Sequence, residues 1–144
     1  MKRILLLCFL VAGSAYAQSG ATRRATNTAA LLAHPEFFHN RPVVVTGDMK
    51  LLDTGEYRLT TDGVSVRVLN KGNTPEGAVE VRGEFWDLGK FTADDPRLVG
   101  YDLKRSFGID PEGPWPRLGQ ATALIASAVS PATQPSAPTI RNVV

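Results

Sequence analysis

Val43-Val44-Val45-Thr46-Gly47-Asp48-Met49 and, 36 residues further on, Val79-Glu80-Val81-Arg82-Gly83-Glu84-Phe85 decide how this chain is read. Each alternates apolar and polar side chains with the period of a half-buried strand, yet each has a glycine in its middle. Glycine weakens a strand unless the backbone must bend or something approaches it closely. A repeat array would also produce two similar segments, but the likeness stops after Met49 and Phe85 and does not recur, so a repeat is rejected. The remaining reading is two strands of one curved sheet.

Outward from these segments, more strands follow. The first runs from about Val43 to Leu52, with Val43, Val45, Met49 and Leu51 on the inner face. After the turn Asp53-Thr54-Gly55, Tyr57 and Leu59 alternate with Glu56, Arg58 and Thr60 in a second strand. Asp62-Gly63 is a strong hairpin signal, and Val64, Val66 and Val68 make a third strand. The fourth spans about Ala78 to Leu88, with Glu84 and Trp86 outward. A fifth, buried strand is expected over Ala121–Val129. Before the first strand, Thr28 is expected to cap a short helix through Ala33, interrupted at Pro35.

The connection from Gly89 to Gln120 is long for a small domain, and such loops are commonly functional or disordered. Phe91, Tyr101, Phe107 and Trp115 within it argue against disorder. They read either as a flap closing the barrel mouth or as the rim of a ligand pocket, and Trp86 is the surface such a flap would cover. A helical piece is expected between Pro96 and Phe107, capped by Asp94 or Asp95.

The termini place the protein in a compartment. Lys2-Arg3, the apolar run Ile4–Ala12 and the Ala15-Tyr16-Ala17 site describe a secretory signal over residues 1–17, cleaved between Ala17 and Gln18. Nine apolar residues fall short of the roughly 20 that span a bilayer, so no membrane anchor is expected after cleavage and the protein is expected to be periplasmic or secreted. Cys8, the one cysteine, leaves with the leader, which removes disulfides and thiol chemistry from the mature chain. The expected organisation is a flexible leader at 18–27, one domain at 28–130 and a disordered tail at 131–144, rich in Pro, Ser, Ala and Thr.

Charge narrows the partners. From Arg41 to Val129 there are 11 basic and 13 acidic residues, so the domain lacks the basic excess that binding to a nucleic-acid backbone normally needs. His34 and His39 bracket Pro35-Glu36-Phe37-Phe38 and would not share a helical face, so no metal site is expected. Asp94-Asp95 diverge as neighbours and read as caps. No nucleophile–base pairing or phosphate loop is present, so neither catalysis nor a cofactor is expected.

Phe37-Phe38 leading into Arg41-Pro42-Val43-Val44-Val45-Thr46-Gly47, then Tyr57–Val66, then Val79–Phe85 together resemble the OB-fold. More narrowly, they look like exported bacterial OB-fold domains related to the anticodon-binding-like (tRNA_anti-like) group. The resemblance covers about residues 30–130 and implies an all-β, five-stranded Greek-key barrel. Gly47 and Gly83 are then the points where neighbouring strands curve to close it. One departure stands out: the segment 70–77 is too short for the helix that usually follows the third strand, so a helix before the first strand or within the long connection must plug the barrel. The resemblance also implies a binding surface on the hairpin face and the adjoining loops. Arg58, Arg67, Trp86, Tyr101 and Trp115 are the candidate ligand-binding residues, in a non-enzymatic module for a protein or small ligand. The alternatives are single-stranded oligonucleotide binding, against which the hairpin face lacks an outward aromatic platform, and a periplasmic cofactor carrier. The exported haem-handling OB domains carry a His-x-x-x-Tyr arrangement near the C-terminus that this chain lacks.

Overall fold

The structure, a computed structural model, describes residues 22–132. The signal sequence with its Ala17–Gln18 cleavage site lies outside the described residues, as do the first four residues of the expected leader and residues 133–144 of the expected tail.

Six strands and three short helices follow in the order β1 (Arg24–Thr26), α1 (Thr28–Ala33), α2 (Pro35–Phe38), β2 (Pro42–Leu51), β3 (Tyr57–Thr61), β4 (Val64–Leu69), β5 (Gly77–Asp87), α3 (Leu103–Phe107) and β6 (Thr122–Pro131). Their pairing order is β1-β2-β3-β4-β6-β5, and β5 returns to pair with β2. Strands β2 to β6 therefore close into an all-β, five-stranded OB-like barrel. All of its seams are antiparallel except β4–β6, which is parallel.

Local chemistry explains the seams. Asp62 and Gly63 both take positive φ, 50° and 76°, the pair of left-handed conformations that matches a two-residue turn to the twist of β3 and β4. Strand β2 is the pivot: its Pro42–Met49 stretch pairs with β5, while only Asp48–Leu51 pairs with β3. That leaves the Val43–Val45 edge open on the β3 side, and Arg24–Thr26 fills it in parallel register. The flexible leader expected over 18–27 is thus a strand over these three residues. Unpaired backbone groups on β2 supply the reason, and no hydrophobic pattern announces it.

Two clusters of apolar side chains form the interior. The barrel core contains Val43, Val45, Met49, Leu59, Val66, Val68, Val79, Val81, Phe85 and Leu124, with Leu31 of α1 and Phe38 of α2 inserted from one end. The N-terminal helices therefore plug the barrel. Asn27, not Thr28, caps α1, its side chain accepting from the Ala30 N–H at 2.8 Å. Thr28 is instead fully buried, and its hydroxyl donates to the Val64 carbonyl at 2.7 Å, tying the helix to the hairpin turn. Leu51, expected inside, is 42% exposed, because β2 runs two residues past its last pairing with β5 and over the barrel rim. Strand β6 is buried only at Ala123 and Leu124, and it continues to Pro131, into the stretch read as tail.

The second cluster lies outside the barrel wall. Trp86, outward on β5, is covered by Phe91, Leu98, Phe107 and Ile109 of the long connection, with Tyr101 and Trp115 packed at the margin. The Trp86 ring meets Phe91 edge-on at 5.3 Å and lies nearly parallel to Phe107 at 6.4 Å. Two 3₁₀ turns, Leu88–Lys90 and Pro96–Leu98, are capped by Asp87 and Asp95, and Asp102 caps α3, which ends at Gly108 in the left-handed conformation (φ 69°).

Candidate functional site: the cleft between the hairpin and the flap

The β3–β4 register places Arg58 directly opposite Arg67 on the outward face of the hairpin. Like charges in that position repel, so the pair needs a counter-charge. Glu56 supplies it. Its Oε1 sits 3.2 Å from the Arg67 Nε and closer still to the Arg58 Nε, and it accepts no aligned hydrogen bond, so one carboxylate oxygen holds two guanidinium groups by charge alone. Arg67 is mostly covered, its side chain 14% exposed, and its Nη1 donates to the Ser106 carbonyl at 3.0 Å. Burial lowers its pKa from the usual guanidinium value; Glu56 opposes that shift and Arg58 adds to it.

The flap forms the opposite wall. Between it and the hairpin runs a cleft of about 790 Å³, lined by Arg58 and Arg67 on one side and by segments 107–110 and 114–122 on the other. Pro114, Trp115 and Pro116 bring apolar surface to it, and Arg117 a third cation. Trp115 is fixed in place, because its indole N–H donates to the Leu88 carbonyl at 2.9 Å. Gly108 keeps the Arg67 guanidinium close to the flap: a side-chain Cβ there would lie 3.1 Å from its Nη2.

One buried carboxylate anchors the flap. Asp87, fully buried at the end of β5, accepts from the Gly119 N–H with both oxygens, at 3.0 and 2.9 Å, and from the Gly89 N–H at 3.1 Å. Its own backbone N–H donates to Nδ1 of His39 at 2.9 Å, so this imidazole is neutral at Nδ1 in the folded protein. Burial lowers the His39 pKa, with Lys90 and Arg97 adding to the shift and Asp87 and Glu84 opposing it.

Of the five sequence-derived candidates, the structure brings Arg58, Arg67 and Trp115 to one cleft. Trp86 and Tyr101 instead pack against each other in the flap cluster, with ring centroids 5.9 Å apart. Of the two carboxylates the hairpin sequence offers as partners for these arginines, Glu56 and Asp62, the structure selects Glu56, which both arginines share; sequence reasoning missed Arg117 and Asp87. An Asp before Leu88-Gly89 is legible as a cap, but its tie to Gly119, 32 residues away, has no local signature. Gly47 and Gly83 are both sites of close approach. A Cβ on Gly47 would lie 2.8 Å from the Thr60 carbonyl oxygen of β3. On Gly83, beside the β5–β6 bulge, it would lie 2.1 Å from the Ile125 carbonyl oxygen of β6. No protein-family model matches the chain, and no curated protein matches it in sequence.

Proposed function

We propose that this protein is an exported binding module of the OB type, related to the anticodon-binding-like group, which holds a protein segment or small ligand between the hairpin face and the flap. The observation that carries this reading is the cleft itself. It lies where the hairpin face of an OB barrel meets the loop joining its last two strands, the usual binding surface of the fold. Its charged groups support binding without catalysis. Arg58, Arg67, Arg117 and Asp110 neither pair a nucleophile with a base nor set two carboxylates across a gap. The leader at 1–17 supports export.

The test is an amide NMR titration of the purified protein with a panel of short peptides, small polar molecules and single-stranded DNA. Perturbations converging on Arg58, Arg67 and the segment 115–121 are expected for one of the first two classes. Convergence on any other surface would sink the cleft reading. Tight, salt-sensitive binding of DNA, lost in Arg58→Ala and Arg67→Ala, would replace it with the oligonucleotide alternative.

A further inference from the structure

The hairpin wall of the cleft carries more positive charge than it compensates. Arg58 and Arg67 face each other across the β3–β4 seam, and the one carboxylate paired with them is Glu56, so this trio keeps a net charge of +1. Glu56 opposes the lowering of the Arg67 pKa by burial, and the Arg67 side chain is largely covered. Arg117 adds a cation from the flap and forms no ion pair among the described residues. Asp110 is the one carboxylate lining the cleft, and its Oδ1 accepts from the Glu112 N–H at 3.0 Å. Holding like charges together beside a low-dielectric wall is costly, and an anion relieves that cost more strongly there than in open water. The same cleft offers the apolar side chains of Pro114, Trp115 and Pro116, with the Trp115 indole anchored to the Leu88 carbonyl.

Resting on the cleft reading above, we propose that the ligand is a small organic anion. Its acidic group is held by Arg58 and Arg117 above the Glu56–Arg67 pair, and its planar apolar part lies against Trp115 and the flanking prolines. Arginine suits this role because its planar fork meets a carboxylate or phosphate with two parallel N–H donors. Glu56 then competes with the ligand for Arg58. The site is thus tuned to release as well as to bind, and removing the Glu56 charge strengthens binding.

The experiment titrates the purified protein with benzoate, phenyl phosphate, inorganic phosphate and the neutral isostere benzamide, following arginine side-chain and backbone NMR signals. Benzoate or phenyl phosphate should shift Arg58, Arg117 and the Trp115 indole, and should bind at least tenfold more tightly than benzamide. Arg58→Gln and Arg117→Gln should each weaken that binding about tenfold, a factor equal to about 1.4 kcal/mol. Glu56→Gln should tighten it, an effect that a purely structural Glu56 would not produce. Equal binding of benzamide and benzoate in the cleft overturns the anion proposal and leaves the cleft reading standing. Anion shifts as large at the exposed Arg23, Arg24 and Arg41 as at the cleft overturn the proposal as non-specific charge attraction, and so does the absence of any anion shift. Specific anion binding outside the cleft overturns both readings. The two anion classes are separated by whether inorganic phosphate competes with the organic probe.

Discussion

His39 accepts the backbone N–H of Asp87 through Nδ1, the atom that a proton would occupy. Its folded pKa lies below the ordinary 6.5, chiefly because burial disfavours the imidazolium. As pH falls, the unfolded chain therefore takes up this proton first. The contribution of His39 to stability is complete above about pH 6.5, is lost progressively below it, and levels off beneath the folded pKa. Unfolding free energy should drop more steeply from about pH 7 to pH 5 in the wild type than in His39→Phe, which cannot titrate. If both slopes match, the imidazole is not linked to folding. Gly83 makes a second residue-scale prediction. Gly83→Ala sets a methyl into the Ile125 carbonyl and should cost about 2–3 kcal/mol in urea denaturation. Gly72→Ala, whose nearest neighbour is 3.9 Å away, should cost well under 1 kcal/mol. Comparable losses at both would deny that close approach selects glycine at 83.

At the scale of elements, α1 and the flap do different work with similar means. Leu31 is a single fully buried side chain that closes one end of the barrel, so Leu31→Ala should destabilise the protein by about 2–5 kcal/mol. Phe107→Ala should cost about 3–5 kcal/mol and should speed amide hydrogen exchange in 103–109 more than in β2 or β3, because Phe107 packs on Trp86 outside the barrel core. Uniform acceleration across the barrel would show that the flap is continuous with the core in energy as well as in space. The elements also differ in legibility. The β3–β4 hairpin was readable from alternation and Asp62-Gly63 alone, because its turn and register are local. Strand β1 was not, since Arg24-Ala25-Thr26 carries no strand pattern and pairs only because β3 leaves part of β2 bare.

For the whole molecule, the two clusters share strands: Phe85 and Leu124 face the barrel core, while their neighbours Trp86 and Ala123 face the flap. Both tryptophans report on the flap, so fluorescence and far-UV circular dichroism should give coincident urea transitions. A fluorescence change at lower urea would mean that the flap detaches before the barrel melts. The candidate site was half legible on the same logic. Arg58 and Arg67 stand out as outward residues of a hairpin, and Trp115 as an aromatic in a long connection. Trp86 and Tyr101 carry the same sequence signal as Trp115 but pack together, because chain path rather than residue type decides which aromatic faces a cleft.

The five barrel strands, the hairpin turn and the places where the chain must bend are legible in the sequence, because alternation, turn chemistry and an unexpected glycine are properties of a few neighbouring residues. The sequence also shows four aromatics in one connection and an outward Trp86 that a flap would cover, and leaves open whether they form a flap or a pocket rim. The folded chain adds that α1 and α2 fill the barrel end, that Arg24–Thr26 completes the β2 edge, and that Glu56 is shared between two arginines in a cleft walled by the flap. Those outcomes depend on backbone groups left unpaired, volume left unfilled and charge left uncompensated once the barrel has closed. Gly47 and Gly83 join the two levels. Their place in the strands is plain in the sequence, and the carbonyl oxygens of Thr60 and Ile125 that require them are brought there by closure.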